Sequence, residues 1–142
     1  MTAKEEAQRL VDESLPYAEE LLTKYSEFFP FGRVIEVGGA VGHHAGYPGG
    51  EQPPSSEVID VLQKAWRQMA ADGSIRATAL TYDIRTIPPG RSEKQDAVCI
   101  AIDHRDSYSV QVIFPYRIVD GVPDIEPPFA VEGSYSIFGT PA

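Results

Sequence analysis

The sequence predicts an α+β fold, an antiparallel sheet of about five strands with helices packed on it. Three observations carry this expectation. Residues 74–118 read as three strands in succession, joined by polar turns. Arg33–Val37 and Ala40–His44 flank Gly38-Gly39, a pair that suits a tight hairpin. Apolar residues recur at helical spacing in two stretches, 3–27 and 56–71. The elements follow in the order helix, hairpin, helix, three-stranded meander, with the helices expected on one face of the sheet. Roadblock and profilin-like domains share this order, as an analogy of topology that says nothing of function.

In chain order, Ala7, Leu10, Val11, Ala18, Leu21, Leu22 and Tyr25 mark one face of the first helix. Pro16 removes an amide donor and crowds the preceding turn, so a break or kink is expected near Leu15. Phe28, Phe29 and Phe31 are too apolar to leave in water at about 2 kcal/mol each, and are expected to plug one end of the core. The hairpin follows. Residues 46–54, rich in glycine and proline, can be neither helix nor central strand. Ser55 or Ser56 is expected to cap the second helix. Val58, Leu62, Ala65 and Met69 should form its inner stripe, widened by Ile59 and Trp66, and Gly73 should end it.

The first meander strand, 74–87, is partly apolar on both faces, which suggests a bulge or cover on both sides at one end. Asp96–Asp103 is apolar on both faces, as in a central strand. From Tyr108 the pattern alternates. Tyr108, Val110, Val112, Phe114 and Tyr116 should be packed, and Ser109, Gln111, Pro115 and Arg117 largely wet. Pro115 cannot donate to a ladder, so it should face a sheet edge or a bulge. Beyond Pro127-Pro128 a short last strand or an apolar tail is expected.

At 142 residues the chain is read as a single α+β domain spanning 1–142, long enough for a core without disulfide or metal. Its one cysteine, Cys99, allows no internal disulfide, and its position between Val98 and Ile100 marks a buried apolar residue. No apolar run approaches the roughly 18 residues that span a bilayer, and the polar start resembles no signal peptide. These features point to a cytoplasmic protein without a membrane partner. The net charge of −9 is concentrated at the two ends of the chain. Such a surface repels nucleic-acid phosphates and attracts a basic protein partner.

Chemistry is sparse. Imidazoles bind metals and move protons, which makes His43, His44 and His104 candidate binding residues. Tyr47, at the centre of the glycine-rich loop, joins them. Neighbours on a strand point to opposite faces, so His43 and His44 cannot share one ion unless the backbone bends there. Asp103 or Asp106 could add ligands only if the two loops meet. Residues 38–50 lack both GxGxxG and GK[ST] phosphate-binding patterns, and no GxSxG is present. No catalytic residue, metal or cofactor is assigned.

The segments Phe28-Phe29-Pro30-Phe31-Gly32, Asp96–His104 and Phe114-Pro115-Tyr116 resemble a pattern of small bacterial single-domain α+β proteins with no assigned activity. The resemblance covers about Phe28 to Phe138 and implies a scaffold, with no catalytic residue to carry over. Some small acidic bacterial domains of this general kind serve as immunity proteins for toxins. The expectation is therefore a non-enzymatic, cytoplasmic binding domain that works through protein–protein contact, with toxin immunity as its specific form. Homodimerisation through a sheet edge is a further reading. The alternative is a small-molecule or metal-binding enzyme that uses the 43–54 loop and the His104 turn.

Overall fold

The computed structural model describes residues 1–45 and 54–139. Helix α1 spans Ala3–Tyr25 and α2 spans Ser55–Asp72. The strands are β1 (Phe31–Glu36), β2 (Val41–His44), β3 (Ile75–Thr86), β4 (Gln95–His104), β5 (Tyr108–Val119), β6 (Val122–Ile125) and β7 (Phe129–Glu132). They form one sheet in the order β2-β1-β3-β4-β5-β6, every pairing antiparallel. Strand β7 also pairs with β5, end to end with β6 along the same edge. Among the described residues the sheet thus has seven strands where about five were expected. Of the other two four-residue strands, β7 is the short last strand expected beyond Pro127-Pro128, and β6, before those prolines, is too short to show an alternating pattern.

The helices lie on opposite faces, a correction to the expectation of one covered face. Leu10, Ala18 and Leu22 of α1 pack with Ile35, Ala77, Ala79, Ile100 and Ile102. Val58, Leu62 and Trp66 of α2 pack with Val34 and Leu80. The register explains the division, because Ala77 and Ala79 point to one side of β3 and Thr78 and Leu80 to the other. The two-sided apolar pattern of β3 therefore reports cover from both helices; a register irregularity is present as well, at Arg76 against β1, while the ladder to β4 runs unbroken from Ala77 to Thr86.

Helix α1 is continuous through Pro16. The ring sits on the exposed side, so the Asp12 carbonyl that loses its amide partner turns to water. Its start is fixed by a reciprocal cap: Thr2 accepts from the Glu5 amide, and the Glu5 carboxylate accepts from the Thr2 amide. Ser26, at φ 60°, ends it. Helix α2 has no side-chain cap bond at its start. Pro54 holds the cap position, so neither serine does. Gly73, at φ 77°, closes its other end as expected. Trp66 is the centre of its buried stripe, whereas Ala65 is exposed. Gly32 on β1 makes room for the Trp66 ring, since a Cβ there would collide with it.

The side of β5 expected to be wet is covered. Ser109, Ile113 and Pro115 are buried while Arg117 stays exposed as expected; the segment after β7 closes over Ser109, with the Gly133 amide on its carbonyl and the Tyr135 amide on its hydroxyl. Pro115 meets its expectation: its carbonyl accepts from the Glu126 amide, so its nitrogen faces the same outer edge, in the gap between β6 and β7. Cys99 is fully buried, and burial pushes its thiol up.

Candidate functional site

The hairpin places His43 and His44 on opposite faces. His43 is the register partner of Arg33 and faces the α1 side; His44 pairs with Gly32 and faces α2. There the Trp66 indole donates to His44 Nδ1 at 3.0 Å. The donor to that nitrogen is thus a core side chain, and the contact pins β2 to α2.

His104 lies at the end of β4, buried under the first turns of α1. Its Nε2 is 2.9 Å from Glu6 Oε1, and the Asp106 amide donates to its Nδ1 at 3.0 Å. A ring nitrogen that accepts an amide proton carries none itself, so Nε2 is the donor to Glu6. The other Glu6 oxygen accepts from Arg76 Nε at 2.9 Å. Glu6, only 3% exposed, therefore ties α1 to β3 and β4. Burial pushes its carboxyl up, and the bonds from His104 and Arg76 outweigh that, leaving it below its ordinary value.

The three imidazoles do not meet. Three strand steps separate β2 from β4, roughly 14 Å at the usual strand spacing, and His44 also faces the other side of the sheet. Among the described residues no group of three histidine, cysteine or acidic side chains is arranged to hold a metal ion. Tyr47 lies outside the described residues.

What surrounds His43 was not anticipated. The end of α1, the linker into β1 and the β2 edge enclose a hollow of about 420 Å³ lined by Tyr17, Leu21, Tyr25, Phe28, Phe29 and His43, among others. Ser26 creates it by ending the helix, and the chain then runs through Pro30 into β1 without folding Phe28 and Phe29 fully inward. Phe31 does reach the core, at 3% exposure. Phe28 is half-buried and Phe29 is 38% exposed, so only one of the three rings plugs the core as expected. Tyr25 is 67% exposed.

The rings are ordered among themselves. Tyr17 meets Phe31 edge-on at 4.8 Å between centroids and His43 edge-on at 5.1 Å, geometries that suit the charge distribution of aromatic rings. The Arg33 guanidinium stands over the Tyr17 ring at 5.6 Å, with Glu13 3.8 Å away from it. Desolvation, helped by Arg33 and His44, pushes His43 below its ordinary value and favours the neutral ring. Glu27 lines the hollow, and Glu19 and Glu20 are exposed on the adjacent turns of α1. The sequence signal was present in Tyr17, Leu21 and Tyr25, spaced by four from Tyr17 on the helix that precedes the aromatic linker. It is the spacing of a core stripe as well, and only the course of the chain after Ser26 separates the two.

Among the described residues no helix is long and apolar enough to cross a membrane. No protein-family model, no curated protein and no solved structure matches the chain.

Proposed function

We propose that the chain is a single α+β domain acting in the cytoplasm as a non-enzymatic binding module, which docks a basic protein through the hollow beside His43. The observation that carries this reading is a half-open aromatic surface with the Glu27 carboxylate in its lining. Tyr25 is 67% and Phe29 38% exposed, so a partner that covers them gains the corresponding part of the about 2 kcal/mol that burying a whole ring contributes, and exposed aromatics of this kind are what partner interfaces use as anchors. Glu27 lines it, and Lys24 on the neighbouring turn is engaged with Glu20 at 3.0 Å. An apolar anchor flanked by lysine or arginine complements that arrangement. The charge of −9 speeds encounter with a basic protein and disfavours nucleic acid. A toxin-neutralising immunity role is the specific form proposed, since toxins that act on nucleic acid are commonly basic.

The enzyme reading has less support, because His44 and His104 are engaged by Trp66 and Glu6 and stand on different faces of the sheet. The test is calorimetry against the purified basic product of a neighbouring reading frame, with the unaltered chain and with Tyr25→Ala/Phe29→Ala. A complex that loses about tenfold or more in affinity in the double variant supports the reading. Unchanged affinity, or the lack of any basic toxin-like product beside the gene, removes it. Light scattering of the free chain distinguishes a third outcome, in which a second copy occupies the hollow.

A further inference from the structure

A second cavity lies on the other face, and it is chemically unlike the hollow. It measures about 140 Å³ and sits between α2, the centre of the sheet and the C-terminal turn. Register places Thr78, Asp103 and Ser109 directly opposite one another across β3, β4 and β5, a polar row beside the next one of Leu80, Ala101 and Gln111. All three line the cavity, and their exposures are 1%, 8% and 7%.

The row is half satisfied. Ser109 donates to Asp103 Oδ1 at 2.8 Å, and the Tyr135 amide donates to Ser109 Oγ at 3.2 Å. The Thr78 hydroxyl has no partner, although it stands beside Asp103 in the row. The closure is tight. The Gly133 amide donates to the Ser109 carbonyl at 3.1 Å, and a side chain at Gly133 would collide with Ser109. Asp103 is the sole carboxyl among the described lining residues, and these include no lysine, arginine or histidine. Burial pushes Asp103 up against the opposing pull of Ser109. An ionised carboxyl in such a place calls for a counter-charge with hydrogen-bond donors.

We infer that this cavity binds a small primary ammonium compound, its head between Asp103 and Thr78 and its carbon chain against Leu80 and Trp66. An ammonium group donates three hydrogen bonds, which suits the free side of the Asp103 carboxyl and the unpartnered Thr78 oxygen. The volume sets the size. A cavity of about 150 Å³ accepts benzene, so a chain of about four to six heavy atoms fits here. This site is independent of the hollow and of any partner bound there.

The test titrates n-butylammonium, with n-butanol as the neutral match, into uniformly ¹⁵N-labelled protein. At about 10 mM the amine is expected to shift the Ser109 and Tyr135 amide signals and to raise the unfolding temperature, with butanol producing neither effect. Asp103→Asn keeps the Ser109 contact and is expected to weaken amine binding about tenfold. Thr78→Val removes one hydroxyl from a site that tolerates the shape, and is expected to weaken binding several-fold even if the Asp103 variant does not fold. Equal responses to amine and alcohol would mean that Asp103 does not select a charged head, and no movement of those amides at about 10 mM amine would mean that the cavity holds only water; either result overturns the assignment.

Discussion

His104 and His43 face the same side of the sheet and lie under the same helix, yet one is sealed and the other open. The first turns of α1 bring Glu6 over His104, and the imidazole becomes part of a buried network with Arg76. The later turns bring Tyr17, Leu21 and Tyr25 toward His43, and that imidazole lines an aromatic hollow instead. What the helix carries above the ring decides the outcome. A carboxylate of low exposure draws in every donor it can reach, because a buried charge without partners is costly. Aromatic side chains make no such demand, so they can stop short of closure and leave surface for something else.

The sharpest way to break this comparison is at Glu6. Glu6→Ala strands the His104 donor and loosens Arg76, and should cost about 3 kcal/mol in urea unfolding. A cost below about 1 kcal/mol would mean that the network is not what holds α1 down. The acid limb of the stability profile gives a second measure. The folded-state carboxyl of Glu6 lies below its ordinary value, so its contribution is fully present above the ordinary carboxylate range, near about pH 4.3, and is lost as pH falls through the depressed value. Glu6→Gln should therefore flatten the fall in stability below about pH 4.3. An unchanged profile would assign acid sensitivity to Glu126, which Arg91 and Gln95 hold down to about 2, or to other carboxylates.

Much of the scaffold was legible because its signals are local. The meander, the hairpin about Gly38-Gly39 and the burial of Cys99 follow from alternation, turn residues and an uninterrupted apolar run. Pro115 could be placed because a missing amide limits where a strand can lie. The division of the helices between two faces was not legible, although β3 recorded it as apolar residues on both sides. Two-sided apolarity says that a strand is covered and leaves open by what. The closure over Ser109 by the segment after β7 is also non-local: Ser109 reads as a solvent position until Gly133 and Tyr135 are seen bonded to it. His43, His44 and His104 could be nominated from residue type alone. Their separation depends on strand order, which no short window of sequence contains.

At the open end, His43→Ala should cost only about 0.5–1 kcal/mol, the worth of one aromatic contact with Tyr17 at a largely exposed ring. Glu6→Ala and His43→Ala should thus differ about threefold or more in the same denaturation experiment. Similar losses would mean that His43 is as structural as His104.

The smallest stability effect is expected where the functional effect should be largest. Tyr25 and Phe29 expose most or much of their rings and make few core contacts, so Tyr25→Ser and Phe29→Ser should each shift unfolding by no more than about 0.5 kcal/mol. Thermal melts of the two variants decide this. A loss of about 2 kcal/mol in either would show that the ring is already spent on the fold, as Phe31 is at 3% exposure. The hollow would then be an unfilled corner of the core. Melts close to those of the unaltered chain would leave both rings free to anchor a partner, which His104, fixed under Glu6, is not.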